Sequence, residues 1–472
     1  MLTLTTEQKN IVYSDHKHVY ISARAGTGKT TTLAEFVALR KSEHFLYLVY
    51  NNAIKEEAQR KFPEFVTIHT IHSLAYQAVG CQYKDKLTNN LKVENIFKGL
   101  SYFENKNLED KDLHKLAFNI IKTISAYCNS DLFDFAGISE NKLLLDLSFE
   151  YWNKMIDLGN EEILITHDGY LKLYHLQKPS LDHDYIMVDE AQDSNEVMLD
   201  IVYNQSCNKI FVGDPHQKIY GFRGALNIFD NDKYISRGED NVFFSLTESF
   251  RFGKTIAAVA NTILSDYKNE SNLITGTEGR DSVVGPIDKS LPYTIITRTN
   301  AKLIDIAIES VQAGKKISIN GGIESVLYSV LDAYYLFAGE KDKIKGEYLK
   351  TLNNYSHLKM LAETLKSPDN ILQVYLIEKY GHALLELIEL LRIQSTVSKK
   401  ADIILSTAHK SKGLEFVSIC LSDDFSPLYS DTGHRIERVD SEELNLIYVA
   451  VTRATHDLEL NHDLHRLMSG LC

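Results

Sequence analysis

Paired cysteines, long apolar runs and a surplus of positive charge are all missing from this sequence of 472 residues. Its five cysteines include no CxxC pair, which argues against a disulfide framework or a zinc module and favours a reducing compartment. No apolar run reaches membrane-spanning length, and the first residues, MLTLTTEQKN, lack the charged and apolar regions of a signal peptide. We therefore expect a soluble intracellular protein, in cytoplasm or nucleus, without a membrane partner.

The formal net charge of -13 disfavours a nucleic-acid partner, because phosphate contacts normally come from clustered lysine and arginine. An acidic exterior can still surround a local basic groove, so the net charge does not decide the question. With 44% hydrophobic and 24% charged residues, the chain has the composition of a globular protein and the length for two to four domains.

The stretch ISARAGTGKTTTL near the N-terminus indicates a phosphate-binding loop between a β-rich run and a run able to form a helix. Gly26 and Gly28 let backbone amides point at phosphate oxygens. Lys29 supplies a positive charge to the terminal phosphates, and Thr30 offers a hydroxyl to Mg²⁺. Ala23 replaces the first glycine of the strict GxxxxGK[ST] pattern. The loop alone does not distinguish kinases, switches, transporters and motors.

A second motif, DYIMVDEAQDS, places Asp189 and Glu190 directly after an apolar strand. The carboxyl ends of strands are where α/β folds bind ligands. Phosphoryl transfer to water needs one group that holds the metal and another that polarises the attacking water. We therefore assign Asp189 to Mg²⁺ and Glu190 to the water.

Further apolar runs that end in polar residues occur in both halves of the chain. These runs are FLYLVYNN near 45–52, FVTIHT near 65–70, NKIFVGDPHQ near 208–217, YTIITRTN near 293–300 and ADIILSTAHKSKG near 401–413. Parallel strands tipped by polar loops are typical of α/β folds. The sequence therefore predicts two α/β lobes that share a cleft.

A series of segments in fixed order resembles the motifs of UvrD/Rep-type superfamily 1 helicases: LTTEQ, the phosphate loop, VYNNAIKEEA, TIHSLAY, VDEAQD, VGDPHQKIYGFRGA, LTESFR, STAHKSKGLEF and NLIYVAVTRA. They span residues 4 to 454. VGDPHQKIYGFRGA, LTESFRFG and THDGYLKLYHLQKP most resemble the F-box DNA helicase branch, although no F-box precedes the motifs. The resemblance implies two RecA-like parallel-sheet motor lobes with mainly helical insertions, in a 1A/1B/2A/2B arrangement.

The resemblance also implies an ATP and Mg²⁺ site. Gln8 matches the glutamine that reads adenine, Phe250 the aromatic residue that stacks on it, and Glu415 a nucleotide-sugar contact. Arg251 and Arg453 match two arginines that reach the γ-phosphate from either side of the cleft, where cationic forks stabilise developing charge. The implied catalytic residues are Lys29, Asp189, Glu190, Gln217, Arg251 and Arg453. The implied nucleotide-binding residues are Gln8, Ala25, Gly26, Thr27, Gly28, Lys29, Thr30, Thr31, Phe250 and Glu415, and the implied metal ligands are Thr30 and Asp189.

A track for nucleic acid follows from the same motifs, because single strands are held by aromatic platforms and backbone contacts. The implied residues are Tyr50, Thr70, His72, Tyr220, Phe222, Arg223, Arg298 and His409. Ordinary core packing is an alternative explanation for each aromatic residue, and a structural role is one for each histidine.

Two positions depart from the family pattern. Arg24 replaces the glycine usual after the first alanine of the loop, and Phe222 stands where the UvrD branch usually carries tryptophan. A phenylalanine still stacks on a base. We interpret the first change as a loss of loop flexibility and the second as a smaller contact area.

Motif placement predicts four domains. The insertion in the first lobe is expected to be mostly helical, because Leu113, Leu116, Ile120 and Ile124 recur at helical spacing. The second insertion is expected to be short and helical, with apolar faces in SVLYSVLDAYYLFAG and GHALLELIELLRIQ. The predicted bounds are 1–80 and 176–255 for lobe 1A, 81–175 for insertion 1B, 256–322 and 397–472 for lobe 2A, and 323–396 for insertion 2B.

The resulting hypothesis is an ATP-driven helicase or translocase on single-stranded DNA, moving 3′ to 5′ by family resemblance, which separates duplexes or displaces bound proteins. Its expected partners are single-stranded DNA, duplex junctions and proteins of DNA repair or recombination. Two alternatives stay open: a motor subunit of a larger repair, recombination or defence complex, and a nucleotide-gated DNA-binding switch. A kinase is disfavoured, since the sequence offers no separate acceptor site.

Overall fold

The computed structural model describes residues 3–106, 111–221, 224–238 and 240–470. Its strands form two six-stranded parallel sheets and two short parallel pairs. The strands are β1 His18–Ala23, β2 Phe45–Leu48, β3 Val66–His69, β4 Leu87–Thr88, β5 Ile165–Thr166, β6 Tyr185–Val188, β7 Asn208–Gly213, β8 Asn241–Leu246, β9 Glu248–Ser249, β10 Thr275–Gly276, β11 Val283–Val284, β12 Tyr293–Thr297, β13 Ile317–Ile319, β14 Ile403–Thr407, β15 Phe416–Leu421 and β16 Ala454–Glu459.

The helices flank the sheets or form the insertions. They are α1 Thr6–Val12, α2 Lys29–Ala38, α3 Asn52–Lys61, α4 Ile71–Ala78, α5 Val93–Gly99, α6 Lys111–Asn129, α7 Lys142–Ile156, α8 His167–Leu176, α9 Glu196–Tyr203, α10 Asp232–Ile235, α11 Lys254–Lys268, α12 Asn300–Gln312, α13 Glu324–Phe337, α14 Glu347–Thr351, α15 Tyr355–Leu365, α16 Pro368–Tyr380, α17 Leu384–Gln394, α18 Ala408–Ser411, α19 Ser441–Val451 and α20 His462–Ser469. Among the described residues, none of these helices is long and apolar enough to cross a bilayer.

The first sheet has the strand order β3-β2-β6-β7-β1-β8. Successive side chains of a strand point to opposite faces, and here both faces are buried. Ile21 and Tyr47 pack with α2 and α3 on one face, whereas Tyr20 and Leu48 pack with the first insertion on the other. Because all pairs are parallel, the loops after β1, β6 and β7 meet at one carboxyl edge.

The second sheet has the order β11-β16-β15-β12-β14-β13, and its pairs are also parallel. Ile296 and Ile419 pack with α11 and α19 on one face. Leu405 packs with α12 and the helices of the second insertion on the other face. The prediction of two RecA-like α/β lobes with parallel sheets is therefore confirmed.

Both insertions are mainly helical. Ile120 and Ile124 lie buried in α6, at the spacing that predicted this helix. The two apolar stretches predicted in the second insertion form α13 and α17. The strands of the first sheet lie within 1–80 and 176–255, and those of the second lie within 256–322 and 397–472. The four domain bounds themselves stay predictions.

Candidate ATP site and nucleic-acid track

The phosphate loop connects β1 to α2, as the sequence predicted. Gly26 and Gly28 have φ values of 76° and 78°, a left-handed backbone that favours glycine. Space is also restricted, because a Cβ at Gly26 would lie 2.5 Å from the Cβ of Arg251. The two glycines therefore allow both the turn of the loop and the close approach of the segment that carries Arg251.

Lys29 begins α2, and its Nζ donates a hydrogen bond to Oε1 of Glu190, which follows β6. Burial opposes the charge of each partner. The negative charges of Glu190 and Asp189 outweigh burial and raise the pKa of Lys29. The charges of Lys29 and Lys412 likewise outweigh burial and lower the pKa of Glu190. The lysine and the carboxylate are thus both charged and held together at the sheet edge.

Asp189, Thr30 and Tyr47 bring oxygen atoms together beside this pair. The Tyr47 hydroxyl donates to Oδ2 of Asp189 over 2.6 Å, and the Thr30 side chain lies near this hydroxyl. A carboxylate and a hydroxyl are ligands that Mg²⁺ prefers, completed in nucleotide sites by phosphate and water oxygens. Within the described residues, no group of three His, Cys, Asp or Glu side chains is positioned to hold a metal. The Thr30 hydroxyl and the Asp189 carboxylate fit the ligand preference of Mg²⁺, and their assignment as metal ligands stays a prediction.

Arg453 reaches from the end of α19 in the second lobe to the loop after β7 in the first. Its Nη2 donates to Oε1 of Gln217 over 3.0 Å, and Gln217 Nε2 donates to Asp214 over 2.8 Å. The arginine is 2% exposed, and burial, followed by repulsion from Arg251, lowers its pKa to about 9. Gln217 therefore lies between a first-lobe carboxylate and a second-lobe guanidinium, next to the phosphate loop.

Arg251 is also held by the second lobe. Its Nε donates to Glu415 Oε1 and its Nη1 to the Thr452 carbonyl, each over 2.8 Å. Glu415, implied by the resemblance as a sugar contact, is here the ion-pair partner of Arg251. The two sequence-predicted arginines thus lie on adjacent elements that face one cleft.

The adenine candidates flank the loop. A Cβ at Gly28 would lie 3.1 Å from Gln8 Nε2 and 3.6 Å from the Phe250 ring. Gln8 Oε1 accepts from the Thr5 backbone amide in the capping box of α1, which leaves Nε2 directed to the loop. Glu7 joins α1 to the Phe250 segment, because its carboxylate accepts from Thr247 N and Oγ1.

The remaining loop candidates have local roles in this structure. Ala25 is buried, and its amide lies 3.5 Å from the hydroxyl of Tyr448 in the second lobe. Thr27 Oγ1 donates to the Arg24 carbonyl over 2.8 Å, which stabilises the turn. Thr31 lies in the first turn of α2.

Lys412 is a site residue that the motif reasoning missed, although it lies within the quoted segment STAHKSKGLEF. Its Nζ donates to the Asp193 carboxylate and to the Gln217 carbonyl, the latter over 2.7 Å. The same nitrogen is 3.6 Å from Glu190 Oε2. A second-lobe lysine therefore contacts three groups of the first lobe: Asp193, Gln217 and Glu190.

The Lys412–Asp193 ion pair gives a pH prediction. Burial raises the pKa of Asp193 to about 6, although Lys412 opposes this shift. Below that pH the carboxyl group is protonated and no longer attracts Lys412. We expect ATPase activity to fall with a midpoint near pH 6, and we expect Asp193→Asn to remove this acid limb. Steady-state rates at about pH 5.5 to 8 check the prediction.

Unfolding at acid pH is the other possible cause of a loss of activity, and the effect of Asp193 on stability distinguishes the two. Since the folded-state pKa of Asp193 lies above its unfolded value, its ionisation weakens folding as pH rises from about 4 to 6. This residue therefore favours the folded state at acid pH, and loss of the fold would have another cause. An acid limb that persists unchanged in Asp193→Asn would contradict the assignment.

The structure corrects the interpretation that Arg24 only reduces the flexibility of the phosphate loop. Its side chain is 2% exposed, and Nη2 lies 2.5 Å from Glu270 Oε2. Nη1 lies 3.6 Å from Oδ1 of Asp214, and Nε donates to the Asn272 carbonyl over 3.0 Å. The departure from the family pattern therefore supplies a buried cation with defined partners.

Three nucleic-acid candidates come together across the lobes. Tyr50, which follows β2, stacks on Tyr220 with ring centroids 5.4 Å apart and an angle of 14°. His409 of α18 lies 6.3 Å from Tyr220, and Lys412 Nζ is 5.4 Å from the same ring. Tyr50 and His72 also line one cavity with Asp189 and Glu190. This aromatic group therefore adjoins the two carboxylates that the sequence predicts to be catalytic.

The other nucleic-acid candidates are separate from that aromatic group or already paired. Thr70 Oγ1 caps α4 by accepting from the Ser73 amide over 3.0 Å. His72 Nε2 lies 3.1 Å from Asp168 Oδ1. Arg298 forms a forked ion pair with Glu443. Phe222 and Arg223 lie outside the described residues. These assignments stay predictions.

Comparison with known proteins agrees with this geometry. Residues 4–233 match the UvrD/REP helicase N-terminal domain. Over 99% of its length, the chain is 31% identical to F-box DNA helicase 1 of Gallus gallus and 32% identical to F-box DNA helicase protein 1 of Schizosaccharomyces pombe. A probable DNA helicase II homologue of Rickettsia conorii is 27% identical over 57% of the chain and 45% of that relative.

The alignments cover 50% and 58% of the two F-box DNA helicases, so the chain spans about half the length of these relatives. The similarity still runs along nearly the whole chain and includes both lobes. The resemblance inferred from the ordered motifs is confirmed: the chain contains a UvrD/REP helicase N-terminal domain and is homologous to F-box DNA helicases along nearly its whole length.

Proposed function

We propose that this protein is an ATP-dependent DNA helicase that translocates on single-stranded DNA. The observation that carries the proposal is the contact between the lobes at Gln217, which binds Arg453 and Lys412 of the second lobe beside the phosphate loop. A site assembled from both lobes makes hydrolysis depend on their closure. Such a dependence converts a nucleotide cycle into movement.

In this mechanism the nucleotide phosphates displace Glu190 from Lys29. Lys29 then neutralises terminal phosphate charge, and the freed Glu190 carboxylate accepts a proton from the attacking water. Thr30 and Asp189 would hold Mg²⁺, which would supply positive charge that stabilises the phosphates. Arg251 and Arg453 donate to the transferred phosphoryl group as its charge develops. Lys412 keeps Asp193 and Gln217 in place while Glu190 moves.

ATP hydrolysis is coupled to DNA binding through the aromatic group of Tyr50, Tyr220 and His409, which contains residues of both lobes. A base that separates the stacked Tyr50 and Tyr220 rings would shift Tyr220 against Lys412, whose Nζ also faces Glu190. Movement in the 3′ to 5′ direction rests on the family resemblance. The names of the relatives support DNA as the substrate, and their family supports work inside the cell in repair or recombination.

Steady-state ATP hydrolysis with and without a single-stranded DNA oligonucleotide tests the proposal. We expect strong stimulation by DNA, and unwinding of a duplex with a 3′ single-stranded tail in preference to a 5′ tail. A rate that does not respond to DNA would overturn the autonomous motor and favour the nucleotide-gated switch. Strong DNA-dependent hydrolysis without unwinding would favour a motor subunit of a larger complex.

Tyr50→Ala should weaken the DNA response without removing basal hydrolysis. Stacking of a base on an aromatic ring contributes ~1–3 kcal/mol, so the DNA concentration for half-maximal stimulation should rise roughly 5- to 160-fold. Titration of ATPase rate with oligothymidylate measures this change. Tyr13→Ala is a matched control, because Tyr13 is a first-lobe tyrosine that is 69% exposed and lies at the C-terminal end of α1. Equal curves for both variants would exclude Tyr50 from the track.

A further inference from the structure

A turn at the end of α11 is tied to the phosphate loop by Arg24. Asn269 ends the helix with a φ of 51°, and the chain then turns through Glu270 to Asn272. Glu270 Oε1 accepts from the Asn272 amide over 2.8 Å, so the carboxylate helps to fix the turn. Arg24 contacts the turn twice, at Glu270 Oε2 over 2.5 Å and at the Asn272 carbonyl over 3.0 Å.

This contact joins the two lobes. Arg24 directly follows β1 of the first sheet, where its amide donates to the Leu246 carbonyl. The turn belongs to α11, whose apolar face packs in the core of the second sheet with Ile296 and Ile419. Arg24 is therefore a first-lobe cation whose main partner is a second-lobe carboxylate.

The Arg24–Glu270 pair also contacts the loop after β7. His216, from the loop after β7, lies 2.9 Å from the same Glu270 oxygen. Asp214 in that loop faces Arg24 and accepts from Gln217, the residue that binds Arg453. Burial opposes both charges, but the nearby negative charges, that of Asp214 first, raise the pKa of Arg24. Hydrogen bonds from His216 and the Asn272 amide, together with the charge of Arg24, lower the pKa of Glu270 to about 2. The ion pair therefore persists across the physiological pH range.

We propose that Arg24 is a positioning residue that transmits nucleotide binding from the phosphate loop to the second lobe through Glu270. Arg24 is two residues from Gly26, whose backbone faces the phosphates, so a shift of the loop moves its guanidinium directly. A guanidinium held by a carboxylate and a carbonyl passes that shift to the turn and to α11. This inference rests on the proposed function for its nucleotide, and it assigns a role to a residue outside the catalytic set.

Hydrogen–deuterium exchange with and without a non-hydrolysable ATP analogue tests the inference on the full chain. In the wild type we expect the analogue to slow exchange both at residues 24–34 and at residues 269–276, by about fivefold or more. In Glu270→Gln and Arg24→Gln the response at 24–34 should remain, whereas the response at 269–276 should be lost. An unchanged response at 269–276 in both variants would overturn the proposal.

Glu278→Gln is the matched control. It removes the partner of Lys254, the first residue of α11, in a 2.8 Å ion pair whose two side chains are both exposed. Its exchange response should equal that of the wild type.

Glu270→Gln is the milder test variant if Arg24→Gln fails to fold. Glu270 is 20% exposed, and the side-chain oxygen of a glutamine can still accept a hydrogen bond from the Asn272 amide of the turn.

The outcomes separate this inference from the proposed function. ATP hydrolysis that does not respond to DNA would overturn the helicase proposal. The exchange experiment would still show whether Arg24 transmits nucleotide binding to Glu270. Protection at 24–34 with no response at 269–276 in the wild type would overturn the inference and leave the helicase proposal standing. In both glutamine variants, a merely structural role would lower basal and DNA-stimulated ATPase rates equally. The transmission role lowers their ratio, and Arg24→Lys should restore part of it.

Discussion

Replacing Glu190 with glutamine is expected to lower kcat for ATP hydrolysis by roughly 10²- to 10⁴-fold, the range for loss of a general base. ATP affinity should not fall. Glu190 holds Lys29 before nucleotide arrives, so the neutral amide removes a competitor of the phosphates for that lysine. Steady-state hydrolysis and equilibrium binding of a fluorescent ATP analogue measure the two effects separately.

Glu196→Gln provides the control for this variant. Glu196 begins α9 in the same lobe and pairs with Lys233 at the surface, away from the phosphate loop. Its hydrolysis rate should stay within about twofold of the wild type. A Glu190→Gln protein that hydrolyses ATP at the wild-type rate would show that another group activates the water. A tenfold loss of nucleotide affinity would contradict the competition between Glu190 and phosphate.

Arg453→Ala is expected to reduce kcat by about 10³-fold or more, as removal of an arginine that faces the transferred phosphoryl group does in related chemistry. The guanidinium is enclosed by Gln217 Oε1 and the Val449 carbonyl, so its position is set before nucleotide binds. Arg453→Lys should rescue little, because lysine lacks the planar fork and cannot reproduce both contacts.

Folding must be checked for these variants, since Arg453 is among the largest fully buried side chains. Thermal unfolding and circular dichroism report on the fold, and fluorescent-nucleotide binding reports on the first-lobe half of the site. Arg466→Ala, a second-lobe variant remote from the cleft, should retain wild-type activity. A folded Arg453→Ala protein with a kcat within tenfold of the wild type would rule out a contribution of this arginine to the transition state.

Local patterns were sufficient to predict much of the fold and the first-lobe half of the site. The phosphate loop, β6 and the acidic pair after it are each encoded within a few consecutive residues. Their meeting point follows from parallel strand order, because carboxyl ends lie at one edge. The sequence therefore indicated Lys29, Asp189 and Glu190 as neighbours without any knowledge of long-range contacts.

Partners distant in the chain were not predictable in the same way. Lys412 and Glu270 meet first-lobe residues only after both lobes have folded, and no local period encodes those distances. Two strands of the second sheet were also missed: β13 is an edge strand of only three residues, and β16, ATHDLE, carries polar side chains that conceal its pattern. The partner of each charged side chain also could not be predicted from the sequence, as the ion pair of Arg298 with Glu443 illustrates.

The strand order of the first sheet has a consequence during protein synthesis. β1 ends at Ala23, but its two neighbours, β7 and β8, begin only at Asn208 and Asn241. A ribosome adds ~5–20 residues per second, so this apolar strand waits on the order of 10 to 40 s for either partner. The nascent first lobe therefore presents an unpaired strand throughout synthesis of the first insertion. Binding of this strand by chaperones on the ribosome is the expected protection, and slow translation would increase the need for it.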